Sequence, residues 1–279
     1  MPDRAKDLDR LEQAMNEVAG GTRVPYLGPG VSAFSGGAAP TSPQALSAMI
    51  EAEVRVPRRA SGKLWEAAQY VESRKFRATL DHIVLMAFDT PATQANPVHD
   101  WLARVAPPMV VDSWYDDTLL KAFGDRDWGL SLGVSRNGTW VEIFHRAYDK
   151  TGVEIDAADP AWKTLIYKPH GLAKAGYGYL MSDSDYVEVL TEIDIQTPIP
   201  DEVQTRRTGR PFLFLGCRFD DQMLRIFARQ IAKRSGAGHI ALIEVPLTRM
   251  ERKFAGELGI TVLDLPVTAV VDQLSVPEG

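Results

Sequence analysis

The chain has 279 residues, of which 45% are hydrophobic, 24% charged and 9% aromatic; this is the make-up of an ordinary globular protein and excludes a disordered tail, a collagen and a coiled coil. A chain of this length buries roughly three-quarters of its extended surface, so it needs neither disulfide nor metal to stay folded. Its 31 Lys and Arg against 37 Asp and Glu leave a net charge of −6 and no broad basic field, so nucleic acid is not expected as a general partner.

The chain opens on a charged segment carrying Leu8, Leu11, Met15 and Val18 at helical spacing, without the apolar core of a signal peptide. No stretch approaches the ~18 apolar residues of a membrane span. The single cysteine, Cys217, excludes an intrachain disulfide and a Cys-x-x-Cys zinc ribbon and fits a reducing compartment. A soluble, cytoplasmic protein is expected, with no membrane partner.

Short apolar runs bounded by Gly, Pro or Asp predict strands at Val24-Leu27, Met109-Val111, Thr164-Lys168, Pro211-Leu215, Ile240-Val245 and Thr261-Leu265. Between them, helical spacing and capping residues predict helices at Ser42-Val54, Lys63-Glu72, Phe76-Phe88, Pro97-Ala106, Asp116-Phe123, Asp183-Glu192, Asp220-Arg234, Thr248-Leu258 and Val267-Leu274. Strand and helix in alternation argue for an α/β protein whose parallel sheet is covered on both faces. Residues 55–105 lack a strand and read as an inserted helical subdomain or lid. Within 125–160, Asn137-Gly138 between the runs Trp128-Val134 and Trp140-Arg146 signals a β-hairpin. The stretch Gln196-Gly209 reads as a surface loop. Two basic clusters, Arg55 with Arg58-Arg59 and Arg206-Arg207 with Arg210, read chiefly as solvated faces, with an acidic partner or a dinucleotide phosphate as the alternative.

The first strand runs into Gly28-Pro29-Gly30-Val31-Ser32. Glycines there allow a sharp turn and a close approach of a diphosphate to backbone amides. They are equally what any tight turn uses, and the spacing departs from Gly-x-Gly-x-x-Gly because Ala33 stands at the third position.

Four segments in order carry more weight together: Tyr26-Leu27-Gly28-Pro29-Gly30-Val31-Ser32, Val110-Val111-Asp112-Ser113-Trp114-Tyr115-Asp116-Asp117, Tyr167-Lys168-Pro169-His170-Gly171, and Phe212-Leu213-Phe214-Leu215-Gly216-Cys217-Arg218-Phe219-Asp220-Asp221. A fifth, Ser184-Asp185-Tyr186 with Leu190, follows the His-Gly loop. Over about Val24 to Leu274 the chain resembles the sirtuin-like family, specifically its zinc-less bacterial branch. The resemblance implies a single sirtuin-like domain over 1–279: a Rossmann-like, doubly wound, mainly parallel sheet (about 21–54 and 106–274) with the helical insertion and the hairpin attached. The cysteines that hold zinc in protein-deacylating sirtuins are missing, so no metal is expected, and deacylation gives way to the NAD-cleaving enzymes of phage defence that zinc-less members resemble.

By that resemblance His170 is the base acting on a ribose hydroxyl or a water, and Asp116 lies near the nicotinamide amide. Gly28, Pro29, Gly30, Val31 and Ser32 form the diphosphate turn, and Gly216 with Cys217 lies by the ribose of the adenosine half. The residues alone leave other readings open: His170 as a hydrogen-bonded loop residue, Asp116 as a helix cap. His82, His99, His145 and His239 read as structural. Two departures stand out. Trp114 occupies the position of the family's asparagine, and an indole offers one donor and no acceptor, so Ser113 or Asp112 must take over the polar role, or the subsite is filled. Pro29 removes an amide from the turn.

The function expected is cleavage of NAD to nicotinamide and ADP-ribose. The alternatives are a non-catalytic sensor of NAD or ADP-ribose, with Trp114 in the nicotinamide pocket, and an interaction module with a vestigial pocket. Relatives often carry a fused sensing or effector domain; with no room for one before Gly279, a separate partner protein is expected, and self-association is open.

Overall fold

The structure, a computed structural model, describes residues 4–134, 144–195 and 199–275. Among them is a nine-stranded sheet: β1 (Val24–Leu27), β2 (Met109–Asp112), β3 (Trp128–Gly133), β4 (His145–Asp149), β5 (Glu154–Ile155), β6 (Thr164–Lys168), β7 (Phe212–Leu215), β8 (Ile240–Leu242) and β9 (Thr261–Leu263), in the order β5-β4-β3-β6-β2-β1-β7-β8-β9. From β3 to β9 neighbouring strands pair in parallel, while β4 and β5 add an antiparallel edge. Every residue of β1, β2, β6 and β7 is buried, as expected of strands covered on both faces. The chain leaves β1 for β2 on one side and returns as β7 on the other. The switch point of this doubly wound, Rossmann-like sheet therefore lies between β1 and β7, where such sheets place their ligands.

Twelve α-helices of the described residues surround the sheet. On one face lie α1 (Arg4–Ala19), α6 (Pro97–Val105), α7 (Thr118–Phe123) and α12 (Thr268–Leu274), sharing a core with Leu27, Val110, Ile166 and Leu215. On the other lie α9 (Asp201–Arg207), α10 (Gln222–Ala232) and α11 (Arg249–Leu258), packed on Tyr26, Val111, Tyr167 and Phe214. A third core joins α3 (Pro43–Glu53), α4 (Leu64–Lys75), α5 (Arg77–Phe88) and α8 (Asp183–Ile195) around Trp114 and Tyr115. The helical module thus takes α3 and α8 in and leaves α6 out. Helix α6 faces the sheet because Val98, Trp101 and Leu102 form an apolar stripe along it.

Three departures from the sequence expectation have local causes. After Gly28 the chain makes one turn of helix, α2 (Pro29–Ser32), and one 3-10 turn (Ala33–Ser35), begun by proline at the first helical position. Strand β3 pairs with β6 as well as with β4, so the predicted hairpin is part of the main sheet; its Asn137-Gly138 turn lies outside the described residues. Helix α9 replaces the expected loop over 201–207, with Asp201 and Glu202 in its first turn and Arg206 and Arg207 in its last, the charge order the helix dipole favours.

Arg206 and Arg207 are accordingly buried and not solvated, whereas Arg55, Arg58 and Arg59 are exposed. Arg206 donates to the carbonyls of Pro108, Pro160 and Trp162 and pairs with Glu202 at 2.5 Å; Arg207 donates to those of Gln230 and Ile231 at the end of α10. Replacing Arg206 with Met removes the donor from the Pro160 and Trp162 carbonyls and the cation from Glu202, while Pro108 O keeps the Leu165 amide. The expected cost is about 3 kcal/mol in urea denaturation, and a loss under about 0.5 kcal/mol, the level of an ordinary surface change, contradicts it.

Candidate functional site

The first part of the site is a contact between two turns. Gly28 N donates to Leu215 O at 2.8 Å, Gly30 N to Gly216 O at 3.0 Å and Val31 N to Gly28 O at 3.1 Å, and Pro29 has no amide hydrogen. A Cβ on Gly28 would lie 2.5 Å from Gly216 O, and one on Gly216, whose φ is +64°, would lie 2.6 Å from Val31 N. These glycines therefore serve a close approach of backbone to backbone at the switch point. The amides expected to cradle a diphosphate are spent on the protein itself in this form. Cys217 is buried beside them, its thiol within reach of the Tyr26 and Leu215 carbonyls. Burial and the nearby Asp112 push that thiol's pKa far up, so it is not a reactive nucleophile.

Next along the sheet edge, Asp116 accepts hydrogen bonds from Ser32 Oγ at 2.6 Å and Thr118 N at 2.9 Å, and from Thr118 Oγ1. Burial alone would raise its pKa. Lys168, the Ser32 and Thr118 hydroxyls and His99 outweigh burial and hold it below the usual carboxylate range, so Asp116 is an anion. It lines a cleft of about 520 Å³ with Phe88, Thr90, Asp117, Lys121 and Lys174, and an adjoining hollow of about 20 Å³ with Ser32, Ser35, Pro40 and Phe88. The hollow has room for a water but not for a nicotinamide ring.

Ser113 Oγ donates to Leu27 O at 2.7 Å and ties β2 to β1. Trp114 is buried against Phe88 and Tyr115, and its Nε1 donates to Pro40 O at 2.7 Å, pinning the segment that covers the hollow. The indole therefore fixes the Pro40 segment and lines neither the cleft nor the hollow.

Lys168 is the residue the sequence reading passed over. With no exposed surface, it donates to Asp112 Oδ2 at 2.5 Å. Burial pushes the Asp112 carboxyl up to about 6 although Lys168 opposes it. The only hint in the sequence is a charge closing an otherwise apolar run, Thr164-Lys168. His99, read as structural, is buried in the first turn of α6, its Nδ1 without a partner. Burial, opposed by Asp116 and aided by Lys168, pushes its pKa down to about 4. Asn96 caps that helix through Val98 N and His99 N, and its amide also donates to Val31 O and Ser35 Oγ, so α6 is bound to the glycine turn.

His170 follows β6, which is separated from β1 in the sheet by β2 alone. It is buried among Tyr115, Tyr186 and Phe227; Nδ1 lies 3.0 Å from Tyr186 Oη, and Nε2 has no partner. Burial and Lys168 push its pKa down to about 3, so the imidazole is neutral near pH 7. Ala173 and Lys174 of the same loop line the cleft, whereas His170 lines neither the cleft nor the hollow. The structure thus brings Ser32, Ser113 and Asp116 to one edge with the glycine turns. His170 follows β6 at the same edge without lining the cleft. Among the described residues no group of His, Cys, Asp and Glu could hold a metal, and no helix is long and apolar enough to cross a membrane.

Fold and strand-end chemistry together define a Rossmann-like α/β protein whose two glycine turns meet at the switch point, with a polar cleft beside them lined by the loops that follow β2 and β6. A protein-family model, the SIR2-like domain, matches residues 108–263, more than half of the chain, and the protein belongs to that family. It is a sirtuin-like, NAD-related protein. The match takes in Ser113, Trp114, Asp116, His170, Gly216 and Cys217, and Gly28–Ser32 precede it. No curated protein matches the chain.

Replacing Lys168 with Met leaves a carboxylate buried without its cation. The expected loss at pH 8 is about 3 kcal/mol in urea denaturation. Asp112 then has a still higher pKa when folded than when unfolded, so the folded variant takes up a proton as pH falls and part of the loss is recovered by pH 5. A loss that does not change with pH contradicts this account.

Proposed function

We propose that this protein binds NAD across the β1/β7 switch point and the adjoining cleft and cleaves the bond between nicotinamide and ribose, releasing ADP-ribose, from a resting form in which the two glycine turns touch. The family supplies the relation to NAD. The observation carrying the reading is His170 Nε2: a buried nitrogen with no partner, on an imidazole whose other nitrogen is held by Tyr186. Of the buried atoms without a partner, this one belongs to the histidine that the family resemblance makes the base, and a substrate hydroxyl is the partner proposed for it.

In this reading Gly28, Pro29, Gly30, Val31 and Ser32 take the diphosphate, with Gly216 and Cys217 at the adenosine ribose. Taking it requires the Gly30–Gly216 bond to open and the amides to turn to the ligand. Asp116, an anion at the edge of the cleft, is placed to favour positive charge developing on the ribose as nicotinamide leaves as a neutral base. His170 takes the proton from a ribose hydroxyl or the attacking water. Ser113, whose hydroxyl proton is spent on Leu27 O, offers only lone pairs. The protein acts in the cytoplasm, in the phage-defence setting of the bacterial proteins it resembles, and a partner protein or a second copy supplies the signal that opens the cover.

Purified protein at high concentration is expected to release nicotinamide from NAD, measured by chromatography, and His170→Ala to lose at least about 100-fold. No release from the wild type, or an unchanged His170→Ala, overturns the reading.

Trp114 favours a second one. With the asparagine gone and the indole latching Pro40, the protein senses NAD or ADP-ribose without turning it over. Thermal stabilisation by ADP-ribose without any nicotinamide release selects this reading, because a ligand that binds only the folded state must stabilise it.

A further inference from the structure

The contacts of three buried side chains determine which nitrogen of His170 carries its proton. Tyr115 Oη lies 2.8 Å from the carbonyl oxygen of Leu180 and 3.1 Å from Tyr186 Oη, and Tyr186 Oη lies 3.0 Å from His170 Nδ1. A carbonyl can only accept, so Tyr115 gives its one hydroxyl proton to Leu180. Towards Tyr186 it can then only accept, and Tyr186 gives its proton to Tyr115. Tyr186 has no second proton for the imidazole. Nδ1 must be the donor in its contact with Tyr186, and the neutral ring carries no hydrogen on Nε2.

The opposite tautomer is worse on two counts. With hydrogen on Nε2, Tyr186 would have to donate to Nδ1, which leaves two hydroxyl oxygens facing each other at 3.1 Å with no proton between them. It would also bury an N–H with nothing to accept it, since Nε2 has no partner; orphaned buried donors are rarer and costlier than under-used acceptors. Tyr115 and Tyr186 have no exposed surface and His170 is 1% exposed, so no solvent hydroxyl intervenes along the chain. Its far end is anchored as well: Leu180 N donates back to His170 O at 2.9 Å, which holds the His170 loop and the acceptor carbonyl in one frame.

We propose that Tyr115 and Tyr186 are positioning residues that hold His170 in the Nδ1–H tautomer and so present Nε2 as a bare lone pair. That this lone pair serves as the base in NAD cleavage rests on the function proposed above; the tautomer does not. In the proton-transfer step the hydroxyl of ribose or water loses its proton to Nε2, its oxygen keeps the bonding pair, and the imidazolium charge is shared through Nδ1–H with Tyr186. Neither tyrosine touches the substrate. Their sequence signal is slight: Tyr115 follows the Trp114 departure, Tyr186 sits in the helix after the His-Gly loop, and only the fold stacks them.

The test is nitrogen NMR on the ligand-free protein labelled with ¹⁵N-histidine, with the His170 signals identified by their absence in His170→Gln. At pH 7 the wild type is expected to show a protonated, pyrrole-type Nδ1 and a pyridine-type Nε2. Tyr115→Phe frees the Tyr186 proton to donate to Nδ1 and is expected to shift His170 towards the Nε2–H form. Tyr179→Phe, in the same aromatic cluster but bonded to Asp81, is expected to leave the tautomer as it was. A wild-type His170 carrying hydrogen on Nε2 overturns the proposal, as does a folded Tyr115→Phe with an unchanged tautomer. If Tyr115→Phe does not fold, the wild-type spectrum decides alone. Where NAD is cleaved, Tyr115→Phe lowers kcat at least about tenfold with KM little changed. An Nδ1–H wild type that releases no nicotinamide defeats the enzymatic reading and leaves the relay standing.

Discussion

A lysine with no contact with water governs the strand ends of this protein. Lys168 closes β6, pairs with Asp112 at the end of β2, and acts on Asp116, His99 and His170 as well. One buried positive charge thus helps keep Asp116 ionised and both imidazoles neutral. Removing a charge from water is costly unless it is paired, and Asp112 provides the pairing without fully offsetting its own burial. The outcome is an edge that carries an ionised Asp116 on the cleft and an unprotonated, buried His170. Groups with such divergent protonation in one place are characteristic of reaction centres, although ion-pair networks that serve only structure share the property.

Geometry at the switch point adds a second constraint. Three glycines let two turns touch through their backbones, and every amide of Gly28, Gly30 and Val31 is satisfied by that contact or within the turn. Trp114 fixes Pro40, which lines the same small hollow as Asp116 and Ser32. Pro29 brings no amide hydrogen to the turn, and the indole of Trp114 fixes the Pro40 segment beside it.

The elements were legible where a single periodicity governed them. Val24–Leu27 and Phe212–Leu215 are buried on both faces and read as unbroken apolar runs, and Asn96, Thr248 and Asp221 announce their helices through side-chain caps. Legibility failed where a residue's partner is distant in the chain. Arg206 and Arg207 look like a surface pair because the carbonyls they bind come from residues 108, 160, 162, 230 and 231. Strand β3 looks like half of a hairpin because its second neighbour, β6, lies some thirty residues on.

Among the functional residues the division is the same. The order of the glycine turn, Ser113-Trp114-Tyr115-Asp116, Pro169-His170-Gly171 and Gly216-Cys217 is written in the chain, and with it the family, because each motif is a local answer to how a strand must end. Side-chain neighbours were not written there. That Lys168 and His99 join Asp116, that Ser32 bonds Asp116, and that Tyr115 and Tyr186 stand in line with His170 follows only when parallel strands stack their carboxyl ends on one edge. Parallel neighbours are joined through long crossovers, so residues that meet across them are dozens of positions apart, and no local pattern records their meeting.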